Sequence, residues 1–177
     1  MKLTFITGNA GKAEAMYRYL GMPIDHEKLD LDEIQSLDLE EIVKDKVTRA
    51  YEIVKKPVIV EDVSFVFHAY NKLPGPFIKW FLKELGNDGL CHLLHDKDRK
   101  CVATVCYGLH DGKEIKLFSG SMEGTVAMSP KGSNGFGWAS VFIPDGYDKT
   151  YAEMTHEEQS PISMRNIALK KLREYLV

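Results

Sequence analysis

A short apolar run ends at Ile6. Thr7, Gly8, Asn9, Ala10, Gly11 and Lys12 follow it, and then a helical pattern begins. A strand that feeds a glycine loop into a helix N-terminus aims backbone N–H groups at one spot, and anions bind there. Lys12 adds a full positive charge. The spacing is not that of the nucleotide P-loop, which needs four residues between its glycines and Ser or Thr directly after the Lys. Here two residues separate Gly8 from Gly11, and Ala13 follows Lys12. A second stretch ends the apolar run Val58, Ile59, Val60 with Glu61 and Asp62. Carboxylates beside an anion site suit Mg²⁺, which bridges carboxylate and phosphate oxygens. Lys79 lies among Phe77, Trp80 and Phe81 and offers a second cation. Phe136 and Trp138 stand on a glycine-rich stretch at 132–140, where a loop aromatic has a free face to stack a base, worth about 1–3 kcal/mol.

Positioning these groups requires alternating elements. Residues 2–6 read as a strand. Residues 12–20 read as a helix, with Ala13, Met16, Tyr17 and Leu20 on one face and Gly21 as its stop. Residues 24–31 alternate weakly as a second strand. Asp38 is the expected N-cap of the next helix, with Glu41 completing a capping box. Leu39, Ile42, Val43, Val47, Ala50, Tyr51 and Val54 form its apolar stripe. The run at 58–60 is the third strand, which puts Glu61 and Asp62 at its carboxyl end, where α/β sheets bind ligands. Pro74, Gly75 and Pro76 make a turn, and Pro76 opens a helix at Phe77. Leu90, Leu93 and Leu94 mark another short helix. Residues 101–109 and 114–126 pair as a hairpin around Asp111 and Gly112. Residues 128–140 are a long loop, 141–143 a short strand, and Ser160 with Pro161 caps a final helix that buries Ile162, Ala168, Leu169, Leu172 and Leu176. The fold class is α/β, organised as one domain over residues 1–177 with two lobes around one sheet.

Bulk properties narrow the function. At 44% hydrophobic residues the chain can bury a full core, and a net charge of −3 lacks the basic excess that nucleic-acid binding demands. Cys91, Cys101 and Cys106 form no CxxC pair and fit reduced intracellular thiols. No secretory leader pattern opens the chain, and no apolar stretch nears the roughly 20 residues that span a bilayer. Expected location is therefore cytoplasmic, with no membrane and no nucleic acid as partner. His92 and His95 are helical neighbours without a completing acid or Cys set, and no GxSxG supports serine hydrolysis.

The motifs TGNxxK, VED, LPGPFIKWF, and GFGW followed by FIPDGYDKTYAEM closely resemble the inosine triphosphate pyrophosphatase family from about residue 3 to residue 175. The resemblance implies an elongated α/β fold with a mixed central sheet and flanking helices. It also implies a homodimer with the active site in a cleft between lobes. The implied activity is Mg²⁺-dependent hydrolysis of ITP, dITP and XTP to the monophosphate plus pyrophosphate. Carried over by position, Thr7, Gly8, Asn9 and Lys12 match the phosphate loop, and Glu33 matches a metal-linked acid. Asp62 matches the acid that holds Mg²⁺ or activates water, with Glu61 assisting. Lys79 matches the Lys of the helix after LPGP. Phe136, Gly137 and Trp138 match the aromatic loop beside the base, and Arg165 matches the Arg of a Ser-His-Arg signature.

This chain departs from the family at three positions. Ala139 and Ser140 stand where the family has Asp-Pro, Gln159 where it has Lys, and Met164 where it has His. All three lie on the base-recognition side, while the phosphate and metal side is intact. A pocket that loses hydrogen-bonding groups loses discrimination, and Met164 would offer a polarizable apolar surface instead. The expectation is a pyrophosphatase with altered or relaxed base choice. The alternative is a catalytically weak or inactive nucleotide-binding homologue, a sensor or sequestering module.

Overall fold

The computed structural model describes residues 2–135 and 137–177; Phe136 lies outside the described residues. The strands are β1 (Leu3–Ile6), β2 (Ile24–Glu27), β3 (Val58–Phe67), β4 (Pro74–Gly75), β5 (Lys100–His110), β6 (Ile115–Val126) and β7 (Phe142–Pro144). The helices are α1 (Ala10–Leu20), α2 (Leu39–Val54), α3 (Ile78–Leu93), α4 (His156–Gln159) and α5 (Met164–Leu176). The sheet runs β2-β1-β3-β5-β6-β7, with β4 paired to β3 off this path. It is mixed: β1 is parallel to β2 and β3, whereas β3–β4 and β6–β7 are antiparallel.

Two compact units divide the chain. One holds residues up to Asp62, Val105–Gly120 and Arg165–Val177; the other holds Val63–Thr104 and Ser121–Met164. In the first, α2 covers one face of the sheet. Val43, Val47 and Ala50 pack with Ile6, Val58, Val60 and Cys106. Gly108 permits this approach, because a Cβ there would lie 2.7 Å from Val43 Cγ1. In the second unit Phe65 is the centre of an aromatic cluster. Its ring stacks on Trp138 at 4.6 Å and meets Phe67 and Phe142 edge-on at 5.0 and 5.8 Å. Arg99 fastens this unit from within. Its guanidinium donates to the carbonyls of Cys91, Leu94, Val126 and Ala127, which joins the end of α3 to the end of β6.

Several local expectations need correction. The third strand does not stop at Val60. Val63, Ser64, Phe65, Val66 and Phe67 carry it on to residue 67, so Glu61 and Asp62 lie mid-strand. Phe5 pairs with Ile59, and β1 ends one residue later. The acids therefore extend past the carboxyl end of β1 and not of their own strand. The capping box of α2 is also different. Asp38 does cap, accepting from the amides of Glu40 and Glu41. Ser36 Oγ, however, accepts from the Asp38 amide and donates to Glu41, so a serine stands inside the box. The expectation of two helices over 77–94 does hold: they meet at Gly86, whose φ of 65° and ψ of −178° break the α3 spiral. The segment before α5 contains α4, which the sequence pattern did not suggest.

Candidate active site

Loop 7–9 is a built cap. Asn9 is the N-cap of α1, its Oδ1 accepting from the Lys12 amide at 3.2 Å. Thr7 Oγ1 accepts from the Asn9 amide at 3.1 Å, and the Thr7 amide donates to Glu27 O. A Cβ on Gly11 would come within 3.2 Å of the capping Asn9 Oδ1, which favours glycine there. Capping fixes the direction in which Lys12 leaves the helix. Its Nζ reaches Glu61 Oε1 at 3.0 Å.

Successive strand residues point to opposite faces of a sheet. Val58 and Val60 face α2, so Asp62 falls on that face and Glu61 on the other. The two acids accordingly have separate partners. Asp62 Oδ2 accepts from Lys46 Nζ at 2.9 Å, and the same ammonium donates to Glu33 Oε1 at 2.7 Å. Burial pushes the Asp62 carboxyl above its usual range, and the Glu33 charge adds to this while Lys46 opposes it. Burial alone would lower Lys46; the Asp62 and Glu33 carboxylates outweigh it and raise it. Glu61 is 4% exposed and accepts from Lys12, from Arg165 Nη2 at 3.0 Å and Nε at 3.4 Å, and from Tyr107 OH at 2.8 Å. Burial works against its ionisation, but Arg165 and then Lys12 outweigh it and hold the carboxyl down at about 2. The expectation has Glu61 assisting at a metal beside Asp62; its side chain here takes Lys12, Arg165 and Tyr107 as partners. The two-residue period of the strand turns it away from Asp62 and into a cationic cluster.

Glu33 and Asp62 converge on one point, marked by Lys46 Nζ. Both offer hard oxygen donors. Mg²⁺ takes one or two carboxylates and completes its shell with water and substrate oxygens, so this pair fits the ion. Among the described residues no group of three His, Cys, Asp or Glu side chains forms a metal cluster.

In the second unit Lys79 is exposed, its Nζ 5.6 Å from the Trp80 ring centroid. Gly137 has φ of 64°, and its carbonyl accepts from Asn87 Nδ2 at 3.0 Å. Trp138 is only 9% exposed. A loop tryptophan was expected to keep its face free; instead one face lies on Phe65 and its edge on Phe142. Gln159 Nε2 donates to the Tyr151 carbonyl at 2.6 Å. Met164 is 2% exposed, so the apolar surface expected of it is buried in the core. Phe136, expected beside Trp138, lies outside the described residues.

Lys46, Tyr107 and Asn87 escaped the sequence reading. Lys46 left a signal: it stands four residues from both Ile42 and Ala50, on the buried stripe of α2, where a lysine is out of place without a partner. Tyr107 and Asn87 left none, since their partners are 46 and 50 residues away.

The Ham1 family profile matches residues 3–175. The chain belongs to the Ham1 family. It is 44% identical to an inosine triphosphate pyrophosphatase of Schizosaccharomyces pombe over 179 residues, which covers 98% of this chain and 94% of that one. It is 42% identical to an inosine triphosphate pyrophosphatase of Scheffersomyces stipitis over 191 residues, covering 99% and 97%. Among solved structures, a HAM1 protein from Coxiella burnetii superposes with a TM-score of 0.89 at 23% identity, covering 99% of this chain and 98% of that one. That likeness shows the fold: an open mixed sheet with flanking helices. No described helix of this Ham1 member is long and apolar enough to cross a membrane.

Proposed function

We propose that this Ham1 member is a nucleoside triphosphate pyrophosphatase acting on non-standard purine nucleotides such as ITP, dITP and XTP, with relaxed base choice. The observation that carries the reading is the convergence of Glu33 and Asp62 on Lys46, with Lys12 of the capped loop held to the neighbour of Asp62 on the strand, Glu61.

Lys12 and the amides at the start of α1 take the phosphates. Glu33 and Asp62 would hold Mg²⁺, which supplies charge neutralisation and polarises phosphate oxygens when bound. Lys46 holds the two carboxylates together. Water attacks the α-phosphorus in line; the bond from that phosphorus to the bridging oxygen breaks, and pyrophosphate leaves with the electron pair. Positioning and charge stabilisation supply most of the acceleration. Lys79, Gly137 and Arg165 join this reading only through the family resemblance. Trp138 shapes its loop from the core side. Relaxed base choice follows from Ala139, Gln159 and Met164, which lack the charged or ionisable groups of the family pattern. Two of them are buried, and the third spends its amide on a main-chain carbonyl.

The test is pyrophosphate release with Mg²⁺ across ITP, XTP, GTP, ATP, dUTP and their deoxy forms. Release spread over several bases is the expected result. Sharp preference for ITP and XTP would remove the relaxed-specificity part and keep the enzyme. Binding without release from any nucleotide would select the sensor or sequestering reading, which the three departures favour. The same proposal includes a cytoplasmic homodimer; light scattering against the 20.1 kDa chain mass checks the dimer.

A further inference from the structure

We propose that Glu61 is a positioning residue, neither a metal ligand nor a base: buried behind Lys12 and Arg165, it fixes their two cationic heads as one anion-binding pair. This rests on reading loop 7–12 as a phosphate site.

The geometry separates the charges by depth. The carboxylate is 4% exposed, while the Lys12 and Arg165 side chains keep 31% and 28% of their surface. An arriving anion meets the cations first and the acid not at all. The arithmetic of the trio is two positive charges and one negative, which leaves a net +1 facing outward. Both carboxylate oxygens are engaged. Oε1 accepts from Lys12 and Arg165 Nη2, and Oε2 from Tyr107 and Arg165 Nε. Four donors leave little lone-pair capacity for a metal or a water proton.

Lys and Arg carry long side chains with large rotamer freedom, and holding them costs entropy. Lys12 leaves α1 and Arg165 lies on α5, 153 positions further along the chain. One shared carboxylate orders both before any ligand comes. A bidentate Arg–carboxylate contact adds direction as well as energy. Tyr107 in turn stops the carboxylate from rotating.

The experiment is calorimetric titration with inorganic pyrophosphate, with metal chelated, of the wild-type protein, Glu61→Gln and Tyr107→Phe. Simple Coulomb repulsion and positioning predict opposite signs. Deleting a negative charge near an anion site should tighten binding if Glu61 only contributes charge. If Glu61 orders the cations, Glu61→Gln should bind about tenfold more weakly. Tyr107→Phe changes no charge and should weaken binding about threefold. Unchanged or tighter binding by Glu61→Gln overturns the inference, as does wild-type protein that binds no pyrophosphate. Should Glu61→Gln fail to fold, Tyr107→Phe decides alone, and wild-type affinity in it overturns the inference. A wild-type protein that binds pyrophosphate with this pattern, yet hydrolyses no nucleotide, would sink the proposed function and leave this inference standing.

Discussion

Lys46 Nζ lies 2.9 Å from Oδ2 of Asp62, sixteen residues further along the chain, and the contact ties the middle of α2 to the middle of β3. Lys46 also holds Glu33, so a single ammonium sets the spacing of two carboxylates. Burial holds the Asp62 carboxyl above its usual range, with Lys46 pulling against it and Glu33 adding to it.

Replacing Asp62 by Asn should therefore separate stability from activity. Removing a buried charge that the fold disfavours, while Glu33 still pairs Lys46, should leave the melting temperature unchanged or slightly higher. Turnover should fall by about a thousandfold or more, since charge stabilisation is the largest part of this chemistry. Thermal unfolding and pyrophosphate release measured together check both halves. Turnover near wild type would remove Asp62 from the metal-holding pair.

Glu61 predicts a distinct acid response. Its carboxyl sits at about 2 in the fold against an ordinary 4.5. A depressed folded value means stability that is fully present above pH 4.5 and lost as pH falls toward 2. The span corresponds to about 3 kcal/mol. Urea unfolding at about pH 6 and about pH 3 should show wild-type protein losing about 2 kcal/mol of this increment, and Glu61→Gln losing much less. Parallel slopes for the two proteins would remove Glu61 as the source.

Trp138 should behave as a core residue. In a Trp80→Phe background its emission should be blue-shifted and shielded from acrylamide, because Trp80 is 54% exposed and Trp138 only 9%. Trp138→Ala should cost about 3–5 kcal/mol through the cavity it leaves beside Phe65. A loss below about 1 kcal/mol would mean that the ring does not fill the core.

The thiols give a probe of integrity. Cys91, Cys101 and Cys106 are free and buried, and burial raises each pKa. Ellman's reagent at about pH 8 should label the native protein slowly and the denatured protein at all three cysteines. Rapid labelling of one thiol in the native state would contradict the packing around it.

Local sequence signals carried much of this fold. The stripe of α2, the Asp38 cap, and the hairpin through Asp111 depend on neighbours within a few residues. Lys12, Glu61 and Asp62 were legible as types suited to a charged ligand, whereas Glu33 and Arg165 came only through the family resemblance. Their division between two faces of β3 was not. It required knowing that the strand continues beyond Val60, and the polar pair Glu61 and Asp62 reads as an ending. Trp138 misled for the opposite reason: Gly135 and Gly137 before it suggest a loop, and nothing local reveals that Phe65 waits 73 positions earlier. Lys46 and Tyr107 act through partners that only the folded chain brings near.

The fastening of Arg99 has a bearing on how this chain can change over time. Every donor it uses in joining α3 to β6 ends on a main-chain carbonyl. Such an anchor recognises the path of the chain and is blind to the identity of the side chains at Cys91, Leu94, Val126 and Ala127. Those positions can drift in type, within the volume the core allows, without loosening the junction. Arg99 itself cannot, because no other side chain spreads five donors over so wide an arc.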